Sequence, residues 1–151
     1  MPFSNDEQIL IVKKSKLKTA VLIIGTGLFI FSLFNKCYCT AEGCASSLGV
    51  LLIGWLGALT GGAALTWLAN PFLIITWVLI AKNKRYAWIF SLIAALISIS
   101  FLKFDSVIKN EAGHYETITG TAIGYWLWFS SCFVTFTGSI LLRVFERIHV
   151  E

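Results

Sequence analysis

Three of the four cysteines in this chain, Cys37, Cys39 and Cys44, crowd one short segment, NKCYCTAEGC. In an oxidising compartment such thiols pair. A Cys37–Cys39 bridge across one residue would be strained. That leaves Cys37–Cys44 or Cys39–Cys44, with one thiol over. Cys132 lies in a long apolar stretch and is not expected to join them. No nearby histidine completes a four-ligand set, so the cluster does not read as a metal site. A second group, Asp105, Glu111, His114 and Glu116, has metal-binding residue types but no standard ligand spacing, and reads as a solvated loop. His149 stands in a polar tail. The chain has no Ser-His-Asp set, no His-Glu-x-x-His and no Walker sequence. Its apolar blocks hold no acid or base for a proton relay and no paired histidines for haem. These residues point to a protein that is not an enzyme and that carries no metal and no cofactor.

The composition says what must position these residues. Of 151 residues, 57% are hydrophobic and 13% are charged. Soluble domains carry about 25% charged residues. The charges are clustered: Lys13, Lys14, Lys16 and Lys18; then Lys82, Lys84 and Arg85; then Arg143 and Arg147. Stretches 19–35, 43–81, 86–102 and 117–142 contain few charges or none. A charge at mid-bilayer costs roughly 2.5–3.5 kcal/mol on the insertion scale. Apolar blocks bounded by basic clusters are the pattern that this penalty produces. The net charge of +4 belongs to those flanks. There it meets anionic lipid headgroups, and nothing in the sequence calls for nucleic acid as a partner.

Residues 17–34 form the first span, with Lys18 able to snorkel to the headgroups. A signal peptide cleaved near Cys39-Thr40-Ala41 is the competing reading. The long leading region with Asp6 and Glu7, and the length of the apolar run, favour a retained span. Residues 86–102 and 123–142 are further spans. The block 48–81 is too long for one helix and tight for two. One crossing, over 64–81, places nine of the twelve Lys and Arg residues inside and leaves only Lys36, Lys103 and Lys109 outside. Residues 48–62, with their glycines, then form a re-entrant or interfacial half-helix on the outer side. Trp55, Trp67, Tyr125, Trp126 and Trp128 fall near the outer surface in this arrangement, and Tyr86 and Trp88 near the inner one.

Small residues draw packing seams along these spans: Ala87, Ser91, Ala94 and Ser98; Gly124, Ser131, Thr135, Gly138 and Leu142. Ala63, Trp67, Asn70, Ile74 and Trp77 are expected to share a face of the second span. Pro71 should kink that span, with the Asn70 amide capping the freed backbone groups or bonding across to another helix; a ligand or partner contact at the kink is the alternative. In the last external loop, Ser106-Val107-Ile108-Lys109 and the stretch 114–119 flank a Gly-containing turn at 110–113, which reads as a short β-hairpin.

The motifs Gly54-Trp55-Leu56-Gly57, Trp67-Leu68-Ala69-Asn70-Pro71 and Gly124-Tyr125-Trp126-Leu127-Trp128 resemble those of small bacterial inner-membrane proteins with no assigned activity. The resemblance covers most of the apolar part and implies a bacterial inner membrane, not a mechanism. The expected fold is an all-α membrane protein. Residues 1–151 form a single domain, a bundle of four transmembrane helices with an outer half-helix and an external hairpin, both termini being cytoplasmic. The expected function is contact with another protein, as an accessory or assembly subunit of an envelope complex or as a toxin-immunity protein. The alternative is a small transporter or channel active as a homo-oligomer. It rests on the Asn70-Pro71 break, the half-helix and the stripe Ser131/Thr135/Ser139.

Overall fold

The computed structural model describes residues 5–108 and 114–147. The chain is mostly helical, with a small antiparallel sheet at one end. Helix α1 is Asn5–Leu33. Strands β1, Lys36–Thr40, and β2, Gly43–Ser46, lead directly into α2, Ser47–Ala58. A 3₁₀ segment, Gly62–Leu68, continues into α3, Ala69–Ala81. Helix α4, Ala87–Ser100, runs through a 3₁₀ turn, Phe101–Lys103, towards β3, Ser106–Ile108. Strand β4, Tyr115–Thr121, feeds α5, Ile123–Arg147. The hairpin turn 110–113, Lys109, Glu111 and His149 lie outside the described residues.

Three helical stretches are long and apolar enough to cross a membrane: Gln8–Leu33, Gly62–Ala81 and Ile123–Glu146. Ala87–Lys103 and Ser47–Ala58 are apolar but shorter. The bundle is built the reverse of a soluble one. Phe31, Phe34 and Leu59 are 67%, 82% and 81% exposed, while Ser91, Ser98, Ser131, Thr76 and Thr135 are wholly buried. Lipid tails solvate leucine as well as a protein core does, so helices associate through small residues and hydrogen bonds instead. Helix α1 packs on α5, and α4 packs on both α3 and α5. Val21 sits directly on Gly138, where any side-chain carbon would collide with it.

The expected all-α fold is corrected by the sheet. It has four strands in the order β2-β1-β4-β3, all neighbours antiparallel. The expected hairpin is present as β3 and β4, with Val107 opposite Glu116. The cysteine segment, read as a plain loop, is a second hairpin with Cys39 opposite Cys44. Strand β1 joins the two hairpins through Tyr38 opposite Thr121. Every helix end that meets this sheet therefore lies on one side of the bundle: the end of α1, the start of α2, the end of α4 and the start of α5.

The other side is closed by the turn between α3 and α4. Asn83 takes a left-handed backbone, φ 52°. Lys84 N–H bonds to Leu79 O at 2.8 Å and Asn83 N–H to Ile80 O at 3.0 Å. This double bond pattern ends a helix with asparagine in the place glycine usually takes. Pro71 sits in the first turn of α3, where its missing N–H is least disruptive, and the change from 3₁₀ to α geometry falls just before it. One further expectation is corrected. Ile74 is exposed, and the buried stripe runs instead through Thr66, Ala69, Asn70, Leu73, Thr76 and Ile80.

Candidate functional site

Beneath the sheet the helices enclose a cavity of about 80 Å³. Asn70 is its organising residue. Placed at the start of α3 by the 3₁₀ segment, its amide donates to Trp67 O at 2.9 Å and accepts from Trp128 Nε1 at 2.8 Å. Trp67 Nε1 in turn donates to Leu51 O at 2.9 Å, so it ties the half-helix α2 to the bundle. Tyr125 is buried and donates to Ser98 O at 3.1 Å, fixing α5 against α4. Its ring packs on Phe101 and Trp128, with centroids 5.3 and 5.9 Å away. Trp67, Tyr125 and Trp128 were expected at the membrane surface. They face inward, because each polar atom finds a protein acceptor inside. Of the Trp and Tyr residues expected at the two surfaces, Trp55, Trp126 and Tyr86 are exposed.

Cys39 and Cys44 are joined as a disulfide, and Cys37 and Cys132 are free thiols. The bridge follows from the register, which puts Cys39 and Cys44 opposite each other. Cys37 turns towards the cavity instead, where its thiol donates to Ala45 O at 3.4 Å. Burial pushes that thiol above the ordinary range, and nearby hydrogen bonds and Lys36 only partly offset the effect. The Ser47 hydroxyl lies in the same wall, buried, without completing a hydrogen bond to a protein atom. Among the described residues no histidine or carboxylate lines this cavity, and no three His, Cys, Asp or Glu side chains come together.

Beside the cavity runs an apolar groove of about 510 Å³, between α2, the 3₁₀ segment and β3. Tyr38, Val50, Thr66, Trp67 and Phe101 line both spaces. Gly54 and Gly57 let α2 approach Trp67 and Ala64 closely enough to form the groove floor.

Gly124 lines the cavity, and the other seam residues serve the helix contacts. Ser91 and Ser139 share a hydrogen bond of 2.7 Å. Ser131 donates to Gly25 O at 2.8 Å, and Thr135 accepts from Trp77 Nε1 at 3.1 Å. Gly138 receives Val21, and Ser98 offers its carbonyl to Tyr125. Pro71 precedes the buried turn but makes no polar contact of its own. The Asn70 amide bonds across to another helix, one of the roles its sequence position suggested; sequence reading missed that Trp128 is the partner and that Trp67 bonds to Leu51. Comparison of the chain with protein-family models, with curated proteins and with solved structures finds no match.

Proposed function

We propose that this chain is a four-span membrane protein, its basic end cytoplasmic and its sheet outside, that works by contact with another protein through its outer face. The observation that carries the span count is the sheet. It gathers the end of α1, both ends of the stretch from β2 to β3, and the start of α5 on one side. Between β2 and β3 the chain must then cross an even number of times. Gly62–Ala81 is long and apolar enough for one crossing, and we assign the shorter apolar Ala87–Lys103 as the second. Helix α2 has 12 residues and rises only about 18 Å, so it re-enters or lies at the interface. Basic residues at the far end and a disulfide in the sheet agree with an inner membrane whose outer side is oxidising.

Contact is favoured over chemistry because the outer face is a braced platform. A disulfide, two hairpins and the Asn70–Trp128 bond hold it, and an apolar groove opens beside it. An envelope-assembly subunit or a toxin-immunity protein needs such a surface. A transporter reading has less support. Ser131, Thr135 and Ser139 direct their hydroxyls to neighbouring helices, which leaves no polar stripe for a solute.

Photo-crosslinking tests the reading. A photoreactive residue at Ile53 or Leu56, which line the groove, should give a discrete protein adduct in native membranes. The same residue at Leu96, exposed on α4, should give lipid adducts only. Equal lipid-only labelling at all three positions would refute a protein contact at the groove.

A further inference from the structure

At the end of the bundle opposite the sheet, three elements converge on a small cleft: the first half of α1, the α3–α4 turn with the start of α4, and the last turns of α5. Its walls carry Lys14, Lys18, Lys84, Arg85 and Arg143 against one carboxylate, Glu146. Lys14 is paired with Glu146 at 3.0 Å. Among the described residues lining the cleft, no other carboxylate faces the remaining cations. Lys18, half-buried, donates to two neutral acceptors, Asn83 Oδ1 at 3.1 Å and Ala81 O at 3.3 Å. Arg143, also half-buried, lies over the Trp88 ring at 4.3 Å. Arg85 is held by the Tyr86 hydroxyl at 3.0 Å. The positive end of the α4 dipole faces the same space, as does the C-terminal end of α3, whose Ala81 carbonyl accepts from Lys18.

A general excess of basic residues at one membrane face explains exposed lysines such as Lys13, Lys16 and Lys82. It does not explain why Lys18 and Arg143 are drawn inward, held in place by neutral partners and left without a carboxylate. Half-buried cations without counter-charges are unfavourable unless an anion completes the site. The planar guanidinium of Arg143, oriented by stacking, presents its N–H edge for two-point contact with phosphate oxygens.

We infer that this cleft is a binding site for a phosphate-bearing anion, held by Lys18, Lys84, Arg85 and Arg143. The inference rests on the reading that this end of the bundle lies at a bilayer surface, where such an anion is a phospholipid headgroup; a free phosphate shares the chemistry. It is independent of whether the outer face has a protein partner.

The test uses the full chain in neutral detergent, titrated separately with short-chain phosphatidylglycerol, phosphatidylcholine and inorganic phosphate. Native mass spectrometry counts bound lipid, and Trp88 fluorescence reports occupancy. Phosphatidylglycerol should saturate one site. Lys18→Gln and Arg143→Gln should each weaken it about five-fold, the equivalent of about 1 kcal/mol per charge. Because those two residues also brace the fold, the exposed double variant Lys84→Gln/Arg85→Gln provides a second reading and should weaken binding by more than either. Lys82→Gln, on the same turn but outside the cleft, and Lys36→Gln, beside the sheet, should leave it unchanged. Inorganic phosphate binding as tightly, with the same variant dependence, would assign the site to a free anion; weak phosphate binding would assign it to lipid. Absence of saturable binding by either anion would overturn the inference. So would an equal loss for Lys82→Gln, which would show only a diffuse surface charge.

Discussion

Asn70 is where a single side chain holds most of the architecture. Its amide connects α3 to Trp128 of α5, and Trp67, which it also contacts, anchors α2. Asn70→Leu would leave Trp128 Nε1 buried without an acceptor. The cost expected for such an orphaned donor is about 1–3 kcal/mol, read as a lower unfolding midpoint in detergent. An unchanged midpoint would show that the bond contributes nothing. Cys37 gives a second prediction. Its raised pKa keeps the thiol protonated at mildly alkaline pH, where an exposed cysteine already reacts. Alkylation of the folded protein should therefore be slow and should accelerate only above the ordinary thiol range, whereas the unfolded chain reacts at a normal rate. By the same linkage the unfolded chain releases this proton first, so the Cys37 contribution to stability is full at neutral pH and declines as pH rises beyond the usual thiol range. Rapid alkylation of folded protein at pH 8 would place the thiol outside the cavity. The cysteine cluster was legible as a disulfide from residue type and spacing alone, down to two pairings. The choice of Cys39–Cys44 needed the hairpin register, which three cysteines, one tyrosine and one threonine do not disclose.

The helices were legible because lipid imposes a strong rule on them: long apolar blocks, charges at the ends, small residues where helices meet. The stripes through Ser91 and Ser98 and through Ser131, Thr135 and Gly138 are buried as their spacing predicts. The stripe on the second span was misplaced at Ile74, because a 3₁₀ segment precedes α3 and changes the periodicity from 3.6 to 3.0 residues per turn. Strands β1 and β2 were illegible for a different reason. They are short and half-exposed, and β1, on which β2 pairs, is itself paired with β4 from the far end of the sequence. Two variants test these elements. Gly138→Val should push Val21 away and separate α1 from α5, with a loss of about 1–3 kcal/mol typical of overpacking; a stability equal to wild type would show the contact to be slack. Cys44→Ser opens a short ring, so the loss should be at most about 3 kcal/mol, with membrane insertion unaffected. Cys132→Ser should leave the bridge intact when non-reduced protein is analysed by mass spectrometry.

For the whole molecule, the sheet and the basic turn face opposite ways, and this opposition underlies both proposed surfaces. The outer groove depends on α2 remaining on the side of the sheet. The anion cleft depends on residues 82–85 lying at the other surface with the basic half of α1. Both follow if Gly62–Ala81 and Ala87–Lys103 cross as a pair. A fifth crossing by α2 would place the basic turn outside and would require β1 to reach β4 through the bilayer. The decisive measurement is cysteine accessibility in intact cells, using an impermeant thiol reagent on Thr119→Cys, exposed on β4, and on Lys84→Cys, exposed in the turn. The four-span account predicts that Thr119→Cys is labelled from outside and that Lys84→Cys is labelled only after the membrane is opened. Labelling of Lys84→Cys in intact cells would contradict it.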